Sequence, residues 1–311
     1  MKVSFVATFF NEEKSIETFL DSLFEQSKMP NEIILVDGGS KDKTVAKINA
    51  YKKKSKRNIM LISKKGNRSV GRNAGISKAT GDVITVSDAG CILNKEWMKN
   101  IVRPFETSKV DVVAGYYKGF AKSLFQKCLI PYVLVMPDKI DKKNFLPASR
   151  SMAFRKTVWS TLGGFPREFS HNEDYVFAKR MKSAGYKISF VRNAIVNWIP
   201  RDSYKQAFVM FFRFALGDIE AGIIRPKVVL VFLRYCIGIA IFFASVFFHS
   251  IVFLFLLLLG VFLYFCFSVA KNYRYVGDLR SVFIFPLLQL TADSAVLSGS
   301  VMGFIKSVRK K

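Results

Sequence analysis

Polar residues follow three apolar runs in the first third of the chain, at positions where they could share one site. The clusters are Thr8 to Glu13, Asp37 to Asp42 and Ser87 to Gly90. Carboxylates in such clusters can accept hydrogen bonds from a ligand or hold a hard cation through oxygen atoms. Each cluster alone could be a turn with a helix cap, because Asp, Gly and Ser dominate turns. Three of them on successive strand ends favour a single binding site.

Two arginines could serve a phosphate-bearing ligand at this site. Arg68 and Arg72 precede or enter the helical pattern of residues 69–79. The guanidinium fork of arginine matches the oxygen atoms of a phosphate. The alternative is that both belong to a solvated basic face.

The elements that position these residues alternate between strand and helix. Apolar runs at 3–8, 32–37, 59–63 and 82–87 indicate strands, and helical patterns lie between them. This order predicts a right-handed, mainly parallel α/β sheet. Ligands bind beyond the carboxyl ends of such strands, where the polar clusters lie. We assign residues 1–200 to this domain.

Charge and hydrophobicity are segregated along the chain. The 311 residues include 48 Lys+Arg and 23 Asp+Glu, a net charge of +25, yet mean hydropathy is +0.21. Residues 235–270 contain no formally charged residue. A helix of that length exceeds one crossing of a roughly 30 Å hydrocarbon core. A break at His249 therefore predicts spans near 228–248 and 251–270, with a buried soluble hairpin as the alternative.

A third apolar segment, 281–305, is less uniform because it contains Pro286, Gln289 and Asp293. Basic residues flank it on both sides, and such residues favour the cytoplasm. A re-entrant or interfacial segment places both flanks there, whereas a third crossing does not. We favour the re-entrant interpretation and assign residues 227–311 to a membrane domain.

The segment between the two domains, residues 201–226, has one apolar helical stripe within 203–224. This pattern is typical of a helix that lies on the bilayer surface, although a helix packed under the sheet would show it too. The N-terminal domain is expected on the cytoplasmic side. Its first apolar run is interrupted at Asn11 to Glu13, too early for a secretory signal.

Five blocks of the sequence resemble one enzyme family. Three of these blocks resemble the nucleotide-sugar-binding half of family 2 inverting glycosyltransferases, which have the GT-A fold. The three blocks are ATFFNEEKSIETFLDSLFEQS, NEIILVDGGSKDKT and GRNAGISKATGDVITVSDAG. The other two blocks resemble the acceptor-side segments of the same family, and they are LGGFP (162–166) and NEDYVFAKRMKSAGYKI (172–188). The resemblance covers residues 1–200 in order, and the closest subgroup is the membrane-associated succinoglycan ExoA type. It implies a Rossmann-like GT-A domain followed by C-terminal transmembrane helices.

The resemblance assigns roles on the donor side of the site. It implies that Thr8 and Glu12 lie beside the nucleoside of a nucleotide-diphosphate sugar, and that Asp37 accepts a hydrogen bond from the base. Arg68 and Arg72 would then contact the diphosphate.

The metal site that the resemblance implies is incomplete. Asp88 occupies the first position of the family's DxD motif, which holds Mg²⁺ or Mn²⁺ on the diphosphate. Gly90 stands where the second Asp is usual, and Trp198 stands where many relatives have a metal-binding histidine. We favour a single-carboxylate metal site at Asp88, with ribose binding as its alternative role.

The acceptor side contains the expected base. Asp174 matches the family's catalytic base, and an inverting displacement needs one such carboxylate. The non-catalytic alternative is that Asp174 stabilises the start of its helix by interacting with the helix dipole. The neighbouring Glu173 should point elsewhere, since adjacent helical residues do not share a face. Glu173, His171 and Arg213 are further candidates for acceptor or diphosphate contacts.

The sequence therefore predicts a membrane-bound inverting glycosyltransferase. The expected donor is a nucleotide-diphosphate sugar, most simply a UDP-sugar, and the expected acceptor is a lipid-linked or growing glycan. A catalytically inactive relative acting as a partner in glycan assembly is the alternative, suggested by the altered DxD motif. The charge alone would suit a nucleic-acid partner, but the basic residues are dispersed and no nucleic-acid-binding motif is present.

Overall fold

The computed structural model describes residues 1–55, 58–169 and 171–309. The chain divides into two compact units. The first unit consists of Met1–Phe120 and Leu134–Ile199, and the second unit of Ala121–Val133 and Pro200–Lys311.

The first unit is built on one mixed sheet. Within the described residues its strands are β1 (Val3–Phe9), β2 (Glu32–Asp37), β3 (Ile59–Ser63), β4 (Val83–Val86), β5 (Cys91–Leu93), β6 (Val112–Gly119), β7 (Met152–Arg155) and β8 (Ile188–Trp198). Their order across the sheet is β3-β2-β1-β4-β7-β6-β8-β5. The four predicted strands form the parallel half, β3-β2-β1-β4.

The other half of the sheet contains the antiparallel pairs. Strand β7 runs antiparallel to both β4 and β6, and β5 runs antiparallel to β8. In the parallel half, Phe9 pairs with Asp37 and Val6 pairs with Val86. The carboxyl ends of β1, β2 and β4 therefore meet at one edge, as the polar clusters predicted.

Helices cover the sheet of the first unit. They are α1 (Ile16–Phe24), α2 (Thr44–Lys54), α3 (Arg68–Lys78), α4 (Trp97–Thr107), α6 (Lys156–Thr161) and α7 (Glu173–Ser183). Helix α1 begins only at Ile16, because Asn11 has a positive φ of 53° and a turn precedes the helix.

Helix α3 lies unusually close to the sheet. A Cβ atom on Gly71 would lie 2.9 Å from Cγ2 of Thr8, and one on Gly75 would lie 2.6 Å from Cγ1 of Val6. Larger residues at these positions would push the helix outward, since interiors are close-packed. The glycines thus allow Arg72, on the same helix, to be buried beside the strand ends.

The second unit is helical. Its helices are α5 (Leu124–Val133), α8 (Tyr204–Glu220), α9 (Pro226–Phe247), α10 (Ile251–Tyr273) and α11 (Ser281–Arg309). Three of them, α9, α10 and α11, are long and apolar enough to cross a membrane. Helices α9 and α10 match the two predicted spans closely in extent.

Helix α11 is continuous over 29 residues and contains Pro286. It packs along α8, where a Cβ on Gly299 would lie 2.4 Å from the carbonyl oxygen of Phe212 and one on Gly303 would lie 2.9 Å from Cβ of Ile219. Close helix contact at small residues is typical of membrane helix pairs. The apolar stripe predicted for α8 is thus covered in part by α11, and whether α11 crosses a membrane stays a prediction.

Candidate active site

Arg72 is the centre of a buried charged network. Its side chain is buried, and Nη1 donates to Oε1 of Glu173 at 2.6 Å. Nη2 donates to Oδ1 of Asp88 at 2.8 Å and to Oγ of Ser149 at 2.9 Å. Burial would lower the pKa of Arg72, but Asp88, Glu173 and Asp174 hold it above its ordinary value. The guanidinium expected on the diphosphate is therefore engaged by protein carboxylates.

Asp174 lies on the other side of Ser149. Its Oδ2 accepts from the backbone N–H of Ser149 at 3.0 Å and from the hydroxyl of Ser149 at 3.1 Å. Glu173, its neighbour at the start of α7, points to Arg72 and is 3% exposed. The two adjacent carboxylates thus face different partners, and Asp174 remains partly accessible.

Asp88 follows β4 and faces several cations. Burial would raise the pKa of its carboxyl, but Arg72, then Arg68 and Arg150, hold that pKa below its ordinary value of 3.8. Its side chain is 35% exposed, so one side of the carboxylate is open to a ligand. The exposed Arg68 begins α3 and contributes to this field without an ion pair to Asp88 among the described residues.

The nucleoside-side candidates gather at the ends of β1 and β2. Thr8 packs beside α3, and the buried Asp37 ends β2. The Asp37 carboxylate accepts from the N–H of Ser40 at 3.0 Å. Glu12 lies in the loop after β1, where the hydroxyl of Ser15 donates to it. Asp37 therefore also shapes its own turn, which was the alternative to ligand binding.

The two remaining candidates belong to different units. The partly buried His171 precedes α7 in the first unit. Arg213 is exposed on α8 and belongs to the second unit. Their proposed contacts with acceptor or diphosphate stay predictions.

The residues around Asp88 supply few metal ligands. Gly90 has no carboxylate, and Trp198, at the end of β8, is 8% exposed and pairs with Cys91. The described part of the chain contains no group of three or more His, Cys, Asp or Glu side chains arranged to hold a metal ion. One oxygen of Asp88 is already bonded to Arg72. This donor set does not fit the Mg²⁺ or Mn²⁺ site that the sequence resemblance suggested.

Sequence reasoning did not identify Ser149 or Arg150. Both lie in a tight turn in which the N–H of Ser151 donates to the carbonyl of Ala148 at 2.9 Å, directly before β7. Their position beside Asp88 depends on the antiparallel pairing of β7 with β4. The run Ser-Arg-Ser was visible, but no local pattern indicated that pairing.

Comparison with known proteins identifies the domain. Residues 4–157 match the family described as Glycosyl transferase family 2. They form a family 2 glycosyltransferase domain. Two curated relatives agree with this assignment. O-antigen chain rhamnosyltransferase RfbN of Salmonella typhimurium is 27% identical over 67% of this chain and 71% of its own length. Glycosyltransferase AglE of Haloferax volcanii is 24% identical over 70% of this chain and 73% of its own length.

A solved glycosyltransferase shares the architecture. The mannosyltransferase PcManGT from Pyrobaculum calidifontis, determined with GDP-Man and Mn²⁺, superposes with a TM-score of 0.72. It is 17% identical, and the match covers 97% of this chain and 87% of that one. The predicted fold class is confirmed: a Rossmann-like GT-A domain with a mainly parallel sheet, followed by apolar helices that could span a membrane. The protein is a glycosyltransferase enzyme, while the similarity to the ExoA type stays a prediction.

Proposed function

We propose that this glycosyltransferase moves a sugar, with inversion, from a nucleotide-diphosphate sugar to a lipid-linked or growing glycan acceptor. The observation that carries the proposal is the joining of Asp88 and Asp174 through Arg72 and Ser149. Residues that are 86 positions apart in sequence thereby line one site, one beside the donor segments and one beside the acceptor segments (174 − 88 = 86).

The reaction requires a base on the acceptor side. Asp174 takes the proton from the acceptor hydroxyl as the hydroxyl oxygen attacks the anomeric carbon. The bond between that carbon and the diphosphate oxygen breaks, and the nucleoside diphosphate leaves with the electron pair. Ser149 fixes the Asp174 carboxylate through two hydrogen bonds to Oδ2. The other oxygen, Oδ1, accepts from the backbone N–H of Tyr175 at 2.8 Å and has a second lone pair for the acceptor hydroxyl.

Inversion is supported by the state of Glu173. A retaining double displacement would need a second, nucleophilic carboxylate near the anomeric carbon. Glu173 is the carboxylate adjacent to Asp174, but it is buried and paired with Arg72 at 2.6 Å. A buried and paired carboxylate is a poor nucleophile, so a single displacement with Asp174 as base is the simpler mechanism.

On the donor side, Thr8, Glu12 and Asp37 at the ends of β1 and β2 suit the nucleoside. The base edge would reach Asp37, and the diphosphate would lie towards Asp88 and Arg68. The donor is most simply a UDP-sugar, although a solved relative binds GDP-Man. We propose no step through a metal ion, because the ligands around Asp88 do not fit one.

The second unit supports a membrane location and an acceptor carried by the membrane. Helices α9 and α10 would anchor the enzyme, so that a lipid-linked acceptor and the site share one membrane face. The relative RfbN is by its name an O-antigen chain transferase, which suits a glycan acceptor. The basic flanks of the apolar helices support a cytoplasmic location for the first unit, since Lys and Arg next to membrane spans favour that side. An anionic leaflet and a lipid phosphate would both be attracted by the basic surface.

Replacing the base tests the mechanism. We expect Asp174→Asn to reduce sugar transfer below detection while UDP or GDP binds as it does to the wild type, because the amide keeps the shape but cannot take a proton. The measurement is transfer from UDP-glucose, UDP-GlcNAc and GDP-mannose by the full-length protein in detergent, with nucleotide affinity from calorimetry. Asp202→Asn, a change at an exposed position, is the matched control and should leave transfer unchanged.

The outcomes separate two ideas. Normal turnover in Asp174→Asn would show that another group is the base. A wild-type protein that neither binds nor turns over any nucleotide sugar would favour the non-catalytic assembly partner, an alternative suggested by Gly90 in place of the second DxD carboxylate.

A further inference from the structure

Arg150 lies next to Asp88 although 62 residues separate them in sequence (150 − 88 = 62). Strands β4 and β7 pair antiparallel, with Val86 opposite Met152. Continuing that register places Asp88 opposite Arg150. The hydroxyl of Ser87 donates to the carbonyl of Arg150 at 2.8 Å, which fixes the turn in this position.

The Arg150 guanidinium is held between two aromatic rings. Its central carbon lies 5.4 Å from the ring centroid of Tyr117 and 5.4 Å from that of Trp198. Such cation–π contacts stabilise a partly desolvated cation and restrict its motion. Trp198, the residue that replaces a metal-binding histidine, therefore supports a positive charge beside Asp88.

Within the described part of the chain, this cation has no close anionic partner. Among residues 1–55, 58–169 and 171–309, the Arg150 guanidinium makes no ion pair within 4.0 Å, although it contributes to the field at Asp88. Arg72 differs, because its guanidinium is bonded to Glu173, Asp88 and Ser149. Arg150 is half-buried, and its guanidinium N–H groups are therefore available to bind a ligand.

The turn around Arg150 is rigid on both sides. Ser149 is bonded to Asp174 and Arg72, and the hydroxyl of Ser151 accepts from Trp97 at 2.8 Å and donates to the carbonyl of Ala194 at 3.2 Å. A donor fixed in this way needs no reorganisation when charge develops on a leaving group.

We propose that Arg150 binds the diphosphate of the sugar donor and neutralises it as it leaves, so that transfer does not require a divalent metal ion. This inference rests on the proposed function. Negative charge develops on the nucleoside diphosphate as it leaves. The Arg150 guanidinium, which has two or more N–H donors, would stabilise that charge at the place where the family pattern has a metal ion. Gly90 and Trp198 supply neither a carboxylate nor an imidazole for a metal ion here, whereas Arg150, held by the Trp198 ring, supplies a positive charge.

The test compares Arg150→Met and Arg150→Lys with the wild type in full-length protein. Methionine keeps the packing against Tyr117 and Trp198 but removes the charge. We expect kcat/KM for the donor to fall by about 10²–10³ in Arg150→Met, the usual cost of losing a charge-stabilising donor, and by less in Arg150→Lys. Arg103→Met, at an exposed position on α4, is the matched control.

Measuring nucleotide and nucleoside affinities distinguishes the loss of a diphosphate contact from a general structural defect. Arg150→Met should weaken the affinity for UDP, or for GDP if the donor is a GDP-sugar, and leave the affinity for the corresponding nucleoside unchanged. Equal losses for nucleotide and nucleoside would overturn the assignment. So would wild-type kcat/KM in Arg150→Met.

The wild-type protein tests the metal independently of any variant. Transfer should continue at the same rate in EDTA and should not increase when Mn²⁺ is added. Transfer that EDTA abolishes and Mn²⁺ restores would overturn the proposal, even if Arg150→Met fails to fold. If no donor is turned over in any condition, the proposed function fails instead of the role of Arg150.

Discussion

Ser149 joins the two halves of the site through one hydroxyl. The Ser149 hydroxyl accepts a hydrogen bond from Arg72 and donates one to Oδ2 of Asp174. The backbone N–H of Ser149 also donates to Oδ2 of Asp174. The hydroxyl orients the base without touching the reacting atoms. Ser149 is therefore a positioning residue, and its loss should affect turnover more than donor binding.

We expect Ser149→Ala to lower kcat about tenfold, since one hydrogen bond to a charged group contributes about 1.5 kcal/mol. The KM for the donor and the melting temperature should change little, because the backbone N–H still holds Asp174. Steady-state kinetics and thermal denaturation measure both effects. Ser160→Ala, at an exposed hydroxyl on α6, is the control. A change in KM alone would contradict this role.

At the scale of elements, the apolar helices of the second unit share a buried polar contact. Asp293 on α11 is 3% exposed and accepts from Arg234 on α9 at 2.9 Å and from the hydroxyl of Tyr264 on α10 at 2.6 Å. Gln289 donates to its other oxygen at 3.0 Å. This network links all three helices and explains why an acidic residue is placed within an apolar segment.

Removing one partner of this contact should destabilise the second unit. Asp293→Leu leaves the Arg234 guanidinium, whose side chain is 38% exposed, without its carboxylate partner. We expect a lower melting temperature in detergent for Asp293→Leu and partial recovery in the double variant Arg234→Leu/Asp293→Leu. Additive effects of the two substitutions would contradict a direct pair.

At the scale of the whole molecule, the question is which ends of the helices face the cytoplasm. We propose that the first unit and both basic flanks of α11 lie there. Helix α11 is long enough to cross, at about 1.5 Å per residue, but its lengthwise contact with α8 also suits a helix held at the interface. The basic flanks favour a re-entrant or interfacial α11, whereas its length favours a third crossing. Cysteine labelling distinguishes these two arrangements.

We expect cysteines at Ser160, Leu279 and Ser307 to resist a membrane-impermeant thiol reagent in intact cells and to react after permeabilisation. Their labelling is compared with that of the parent protein, which contains exposed cysteines of its own. If the cysteine at Ser307 reacts in intact cells while that at Leu279 does not, α11 is a third crossing. Reaction of all three in intact cells would place the first unit outside the cytoplasm.

Local sequence patterns were enough to predict the parallel half of the sheet and the two most apolar helices. Strands β1 to β4 and the uncharged stretch of 235–270 are local patterns, and their polar ends must meet when the strands are parallel. The identity of the polar residues at those ends could also be predicted, because each follows its own strand directly.

The connection between the two sides of the site could not be predicted from local patterns, because it depends on tertiary contacts. Arg72 had been assigned to phosphate, yet it is bonded to Glu173 and Asp88, because two glycines let α3 sink onto the sheet. Arg150 reaches Asp88 through an antiparallel pairing of β7 with β4 that no local periodicity encodes. Local sequence patterns specify individual strands and helices. Contacts between residues far apart in the chain depend on the order of the strands across the sheet.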